Sequence, residues 1–161
     1  MKKTNKRKWL FDLKSIAVVS LVLIASTATA QLNGNYTVNV NTPTGGTNFT
    51  TLTELTDTLT TSGVSGPVVV DISQDTMPIE GQIKLVNISG LSSTNTLRIN
   101  GYNQEIVSSI NTVICENVNN VTFDRVKIKS TGNSHSTLFI KGGCTDITFQ
   151  NGEVISEGSR T

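Results

Sequence analysis

The densest charged stretch of this 161-residue sequence is Asp124-Arg125-Val126-Lys127-Ile128-Lys129. A carboxylate beside a guanidinium has obvious uses. Asp124 can serve as an acid or base, and Arg125 can clamp a substrate carboxylate through its planar fork. Lys127 and Lys129 would add positive charge nearby. The chain argues against that use one repeat later, where Gln150 and Asn151 stand in the places of Asp124 and Arg125. No second carboxylate therefore stacks on the first, and glycoside hydrolysis needs two flanking the bond. A solvated outer face is the favoured reading of these four residues.

The other reactive residues are isolated. His135, the only histidine, lies in the polar turn Thr131-Gly-Asn-Ser-His-Ser-Thr137, with no nucleophile placed by spacing to use it as a base. Asp71, Asp75 and Glu80 could share a calcium ion, but no EF-hand or glycine-aspartate repeat frames them. Cys115 and Cys144 are too few for a disulfide framework and show no metal spacing, so they read as buried free thiols. The four Asn-x-Ser/Thr matches at Asn35, Asn48, Asn87 and Asn120 are expected by chance in a chain so rich in these residues. No catalytic, cofactor-binding or metal-ligating residue is assigned.

The elements that would position such groups begin after a leader. Lys2, Lys3, Lys6, Arg7, Lys8 and Lys14 precede an apolar run from Ile16 to Ala25, and small residues end at Ala28-Thr29-Ala30. This order predicts a secretory signal peptide over 1–30, cleaved before Gln31. The apolar run is too short to span a bilayer. The leader holds 6 of the 13 basic residues and 1 of the 12 acids, so residues 31–161 carry a net charge near −4. That balance excludes a basic nucleic-acid face.

Residues 31–161 contain 21 Thr, 15 Asn and 13 Ser and no Ala. Strong helix formers are scarce, while β-branched and turn residues abound, which predicts strands. A shift of 26 residues superposes Asn117-Val-Asn-Asn-Val-Thr-Phe123 on Gly143-Cys-Thr-Asp-Ile-Thr-Phe149. The same shift puts Val113-Ile114 on Phe139-Ile140 and Ile128 on Val154, and a shift of 24 puts Leu97 and Ile99 at Val121 and Phe123. Within each unit Val121 and Phe123 face one way and Thr122 and Asp124 the other, with Val126 and Ile128 as a second pair. A fixed period with like residues in like places predicts coils stacked on one another, which together bury a ladder no single coil can bury. An extracellular β-sandwich is the competing architecture, because alternation alone permits it.

Ahead of the coils, Phe49, Leu52, Leu55 and Leu59 follow helical spacing. They predict a helix over Phe49–Thr61 with Asn48 as N-cap and Gly63 as stop, covering the first coil. Pro67–Asp71 reads as the first core strand. The chain thus divides into a leader (1–30), a cap segment (31–63) and coils (64–161), the last running on in a longer protein. A complete small protein that closes its end by dimerising is the alternative.

The phrases GGTNFTTLTELTDTL and GPVVVDIS, with NVNNVTFDRVKI and GCTDITFQNGEVI, resemble the right-handed parallel β-helix (pectin lyase-like) superfamily over about residues 36–157. The opening QLNGNYTVN is similar to that of large exported proteins of Bacteroidota. The resemblance implies an all-β, right-handed parallel β-helix with a short N-terminal capping helix. Function is poorly specified by it, since enzymes, adhesins and phage fibres share the fold. The leading expectation is a non-catalytic scaffold, adhesin or glycan-contacting segment of a secreted or cell-surface protein, with extracellular polysaccharide or cell-surface components as partners. The alternative is the front part of a polysaccharide lyase, hydrolase or esterase whose site lies beyond residue 161.

Overall fold

The computed structural model describes residues 30–73 and 78–157; the expected signal peptide, up to Thr29, and Asp75 lie outside the described residues. Thirteen strands and one helix follow in order: β1 (Leu32–Val38), β2 (Asn48–Phe49), α1 (Leu52–Ser62), β3 (Val64–Ile72), β4 (Ile79–Glu80), β5 (Ile83–Val86), β6 (Leu97–Asn100), β7 (Glu105–Ser108), β8 (Val113–Glu116), β9 (Asn119–Asp124), β10 (Lys127–Ser130), β11 (Leu138–Lys141), β12 (Thr145–Gln150) and β13 (Glu153–Ser156). They form three sheets, ordered β12-β9-β6-β3-β1-β2, β13-β10-β7-β4 and β11-β8-β5. Every strand ladder is parallel, and each coil gives one strand to each sheet in turn. The molecule is a parallel β-solenoid of about 3 turns. A sandwich of antiparallel sheets is excluded.

The interior is built from columns of like residues. Val70, Ile99, Phe123 and Phe149 stack in register, as do Val68, Leu97, Val121 and Ile147. Ile79, Ile106, Ile128 and Val154 form the column of the second sheet. Branched and aromatic side chains suit these positions because each packs on its neighbour in the coil below. The spacing of partners is not constant: Val68 to Leu97 is 29 residues, Leu97 to Val121 is 24, and Val121 to Ile147 is 26. Register is held by the strands, and the turns absorb the difference.

One expected pairing slips by a residue. Val113 pairs with Leu138 and Ile114 with Phe139, a shift of 25 in place of 26. Leu138 and Ile140 therefore continue the inward columns of Val113 and Cys115, and Phe139 turns outward. A 26-residue shift would have turned Phe139 inward in place of Leu138.

The bends recur as well. Asn120 and Asp146 share a left-handed backbone at equivalent places, as do Asn87 and Asn117 (φ 50° each). Asn and Asp tolerate that region because their short polar side chains bond locally. Asn117 also binds coil to coil: its amide donates to Asn87 Oδ1 at 3.0 Å and its Oδ1 accepts from the Gly143 N–H at 2.9 Å.

Helix α1 starts later than its sequence suggested. Thr51, not Asn48, is the N-cap, within a capping box that pairs its side chain with the Glu54 N–H and Glu54 with the cap backbone. Asn48 is instead in β2, where its amide donates to the Thr42 carbonyl at 2.8 Å and pins the preceding loop. Thr44 donates to Glu54 and, with the backbone N–H groups of Thr50 and Thr51, holds its carboxyl below the usual range. Gly63 ends the helix as expected, at φ 70° with its N–H on the Leu59 carbonyl. Leu52, Leu55, Thr56 and Leu59 are buried, and the helix packs on β5, β1 and β2. The first coil is thereby covered. Strand β3 runs from Val64 to Ile72, longer at both ends than Pro67–Asp71.

Candidate functional site

A polar column runs up the outer face of the six-stranded sheet, at the ends of its strands. Asp71, Asn100, Asp124 and Gln150 occupy one register position in four successive strands, β3, β6, β9 and β12. Parallel strands lie about 4.8 Å apart, so each side chain reaches the next. The Asn100 amide donates to Asp71 Oδ1 at 2.8 Å. Arg98 donates from Nε to Asn100 Oδ1 at 2.9 Å and from its terminal nitrogen to Asp124 Oδ2 at 2.8 Å. From the coil above, Asn151 donates to Asp124 Oδ1 at 2.8 Å and Gln150 at 3.3 Å.

Asp124 is therefore not on a solvated face. It is 4 % exposed, roofed by side chains of the coils on either side and by its own neighbour Arg125, whose Nε lies 3.4 Å from Oδ2. The Asn151 hydrogen bond, with those from Arg98 and Gln150, holds its carboxyl below the usual carboxylate range, against an opposing effect of desolvation. A group held ionised by so many donors is a poor proton donor at neutral pH. It is an electrostatic clamp between coils.

The corner beside the column is where the coil of β6, β7 and β8 departs from its neighbours. Two residues, Arg125 and Val126, join β9 to β10, and two join β12 to β13, but Gly101–Gln104 join β6 to β7. The extra length forms a tight turn with positive φ at Tyr102 (49°) and Asn103 (67°), closed by the Gln104 N–H on the Gly101 carbonyl at 2.8 Å. A side chain at Gly101 has no room, because its Cβ would lie 2.6 Å from the Arg125 carbonyl oxygen. The turn carries Tyr102 outward. Its hydroxyl donates to Asp71 Oδ1 at 3.0 Å, and the Arg125 guanidinium lies 4.7 Å from its ring centroid. The Asp71 bond, then the charge of that carboxylate, raises the phenol above its ordinary value.

The remaining candidates are scattered. Lys127 and Lys129 face outward from the second sheet; Lys129 Nζ meets Glu157 at 2.8 Å, which raises its pKa, and Lys127 Nζ lies 3.9 Å from Glu153. His135 is exposed in the turn between β10 and β11. Glu80, at the end of β4, lines an open groove of about 470 Å³ with Gln82, Ser108, Ser109, Ile110 and Thr131. Asp71 is held by Asn100 and Tyr102 while Glu80 lines the groove, and no group of three His, Cys, Asp or Glu converges among the described residues. Cys115 is buried and Cys144 half-buried; both are free thiols. No family model, curated protein or solved structure matches this chain.

Sequence reasoning named Asp124 and Arg125 but missed Arg98, Asn100 and Tyr102. Tyr102 is set by the irregular turn Gly101–Gln104, an insertion for which a repeat alignment has no register, while Arg98 and Asn100 lie on β6, where no charged partner at the same shift drew notice. The signal was the Asn-Gly step at Asn100-Gly101, which marks a tight turn.

Proposed function

We propose that this solenoid is a non-catalytic segment of a secreted or cell-surface protein, a rigid scaffold whose outer face contacts extracellular polysaccharide. The observation behind this reading is the state of Asp124. Its carboxylate is filled by donors from the coils on either side, Arg98 on β6, Gln150 on β12 and Asn151 in the turn that follows, so its role is to lock coils together. Above this locked base, Arg98 and Arg125 keep 43 % of their side-chain surface exposed, and Asn103 stands exposed beside them. Fixed planar donors of this kind match sugar hydroxyl and carboxylate oxygens without loss of side-chain freedom on binding. The leader pattern and the likeness to the pectin lyase-like superfamily support an extracellular setting.

The test is expression of the chain with its own leader. Secreted material should begin at Gln31 and be retained on an insoluble polysaccharide column, with retention reduced in Arg98→Ala and Arg125→Ala. Chain cleavage of the polysaccharide by the secreted protein, or recovery of intact Met1 in a membrane fraction, would overturn the proposal.

A further inference from the structure

Three successive turns join the second sheet to the third, and each is longer than the one before it. Gly81 and Gln82 join β4 to β5, residues 109–112 join β7 to β8, and residues 131–137 join β10 to β11. The strands on either side stay in register, so the added residues have to loop outward. The corner is therefore stepped. The open groove of about 470 Å³ lies where the short first turn meets the longer ones. Its volume falls in the range of small-molecule sites, roughly 300–1,000 Å³.

The middle turn is held from both sides. The Ile110 N–H donates to Ser108 Oγ at 3.2 Å, and the Ile110 carbonyl accepts from Ser130 Oγ at 3.2 Å. Asn111 Oδ1 accepts from the Ser136 N–H at 2.8 Å, and the Asn111 carbonyl accepts from the Gln82 amide. Backbone fixed in this way keeps the Ile110 side chain 47 % exposed in the groove, outside the hydrophobic core. The polar lining holds acceptors and hydroxyls but no base. Glu80 is exposed and has no hydrogen bond or ion pair among the described residues. Gln82 spends an amide N–H on Asn111, which leaves its Oε1 to accept. Lys129, two strands above Glu80 in the same outward column, is held by Glu157 at 2.8 Å.

An unpaired carboxylate repels an anionic ligand, and a single carboxylate open to water is too few ligands for a metal ion. Acceptors and hydroxyls set around an apolar side chain match a pyranose, whose hydroxyls donate and whose C–H face is apolar. We propose that the stepped corner is a binding groove for one uncharged pyranose residue of an oligosaccharide or polysaccharide. Glu80 and Gln82 accept from its hydroxyls, Ser109 and Thr131 exchange hydrogen bonds with it, and Ile110 lies against its C–H face. The groove sits on a different corner from Arg98 and Arg125 and has the opposite charge, so it does not rest on their role.

Titration of the isotope-labelled chain with neutral tetrasaccharides of glucose, mannose and galactose, followed by amide NMR shifts, tests the groove. At least one of them should saturably shift the amides of Gly81, Ser109, Ile110 and Thr131, and tetragalacturonate should not. Glu80→Gln should weaken that binding about tenfold, as a charge-assisted hydrogen bond becomes a neutral one. Ile110→Ser should weaken it as well. Both side chains are exposed, so neither variant disturbs the fold. Absence of these shifts with all three neutral sugars, equal shifts with tetragalacturonate, or unchanged affinity in Glu80→Gln would each overturn the inference. Shifts there with butylammonium chloride and with no sugar would overturn it in favour of an amine site. Shifts confined to Arg98, Asn103 and Arg125 would also overturn it, while leaving the polysaccharide reading of that face intact.

Discussion

The Arg125 guanidinium lies over the ring of Tyr102, one coil away, at 4.7 Å from its centroid. Both residues have a left-handed backbone, which long side chains rarely adopt. Asn151 fills the equivalent place one coil later, as the backbone alone would prefer. Arginine at 125 is therefore explained by its side chain, which bridges Asp124 and Tyr102 across the corner.

That bridge has a consequence in alkali. The Tyr102 phenol is raised chiefly by its hydrogen bond to Asp71, and Arg125 opposes the shift. A group raised on folding contributes stability below its unfolded pKa and loses it as pH rises through the folded value. Unfolding free energy should thus fall as pH rises above about 10. Tyr102→Phe should flatten that fall. Arg125→Ala should move the phenol still higher in a spectrophotometric titration; an unchanged or lowered phenol would contradict the stacked geometry.

Asp124 has the opposite sign. Its carboxyl is held low by Asn151, Arg98 and Gln150, so its contribution is present above the unfolded carboxylate pKa and disappears as pH falls through the folded value. In Asp124→Asn, stability should depend less on pH below about pH 4 than in the parent chain. Acid titrations followed by circular dichroism measure this. Parallel acid curves for the two proteins would remove Asp124 from the clamp.

Much of the architecture was legible in the sequence because stacking repeats side-chain type at a fixed register. Val121 over Ile147, Phe123 over Phe149 and Ile128 over Val154 were all readable from one 26-residue shift. The third sheet was misread by one residue because β10 and β11 are joined by a polar turn, and a polar turn carries no inward residue to fix the count. The N-cap was misplaced for a related reason. Asn48 and Thr51 are both good caps, and only the Glu three residues after Thr51 separates them. The site was least legible. Asp124 looked solvated in the linear sequence, since its roof comes from Arg98, Gln150 and Asn151, each about a coil away.

The two thiols should differ in reactivity. Cys115 faces inward beneath Ile140, and burial pushes its thiol up to about 12. Cys144 is half-buried beside the same core. A maleimide at mild alkaline pH should label one thiol per native chain, at Cys144, and the second only in denaturant. Peptide mapping decides the site. Rapid labelling of Cys115 in the native state would mean that β11 does not cover it as described.

The interior column of the six-stranded sheet gives a graded test of the stack. Phe123 is fully buried, with Ile99 below it and Phe149 above, the two rings 6.0 Å apart between centroids. Removing that ring leaves a cavity that rigid strands on both sides cannot close, so Phe123→Ala should cost about 3–5 kcal/mol. Phe149 occupies the same column one coil later but is half-buried, having no strand above it among the described residues. Its replacement by Ala should cost clearly less, since solvent already reaches the site. Phe139 points outward from β11, and Phe139→Ala should fall within about 0.5 kcal/mol of the parent. Urea unfolding of the three variants orders them. The decisive comparison is between Phe123 and Phe149, which have the same residue type, the same strand position and the same sheet. Equal losses at the two positions would show that burial does not fall off toward the open coil, and a loss near zero at Phe123 would mean that the column does not form the core.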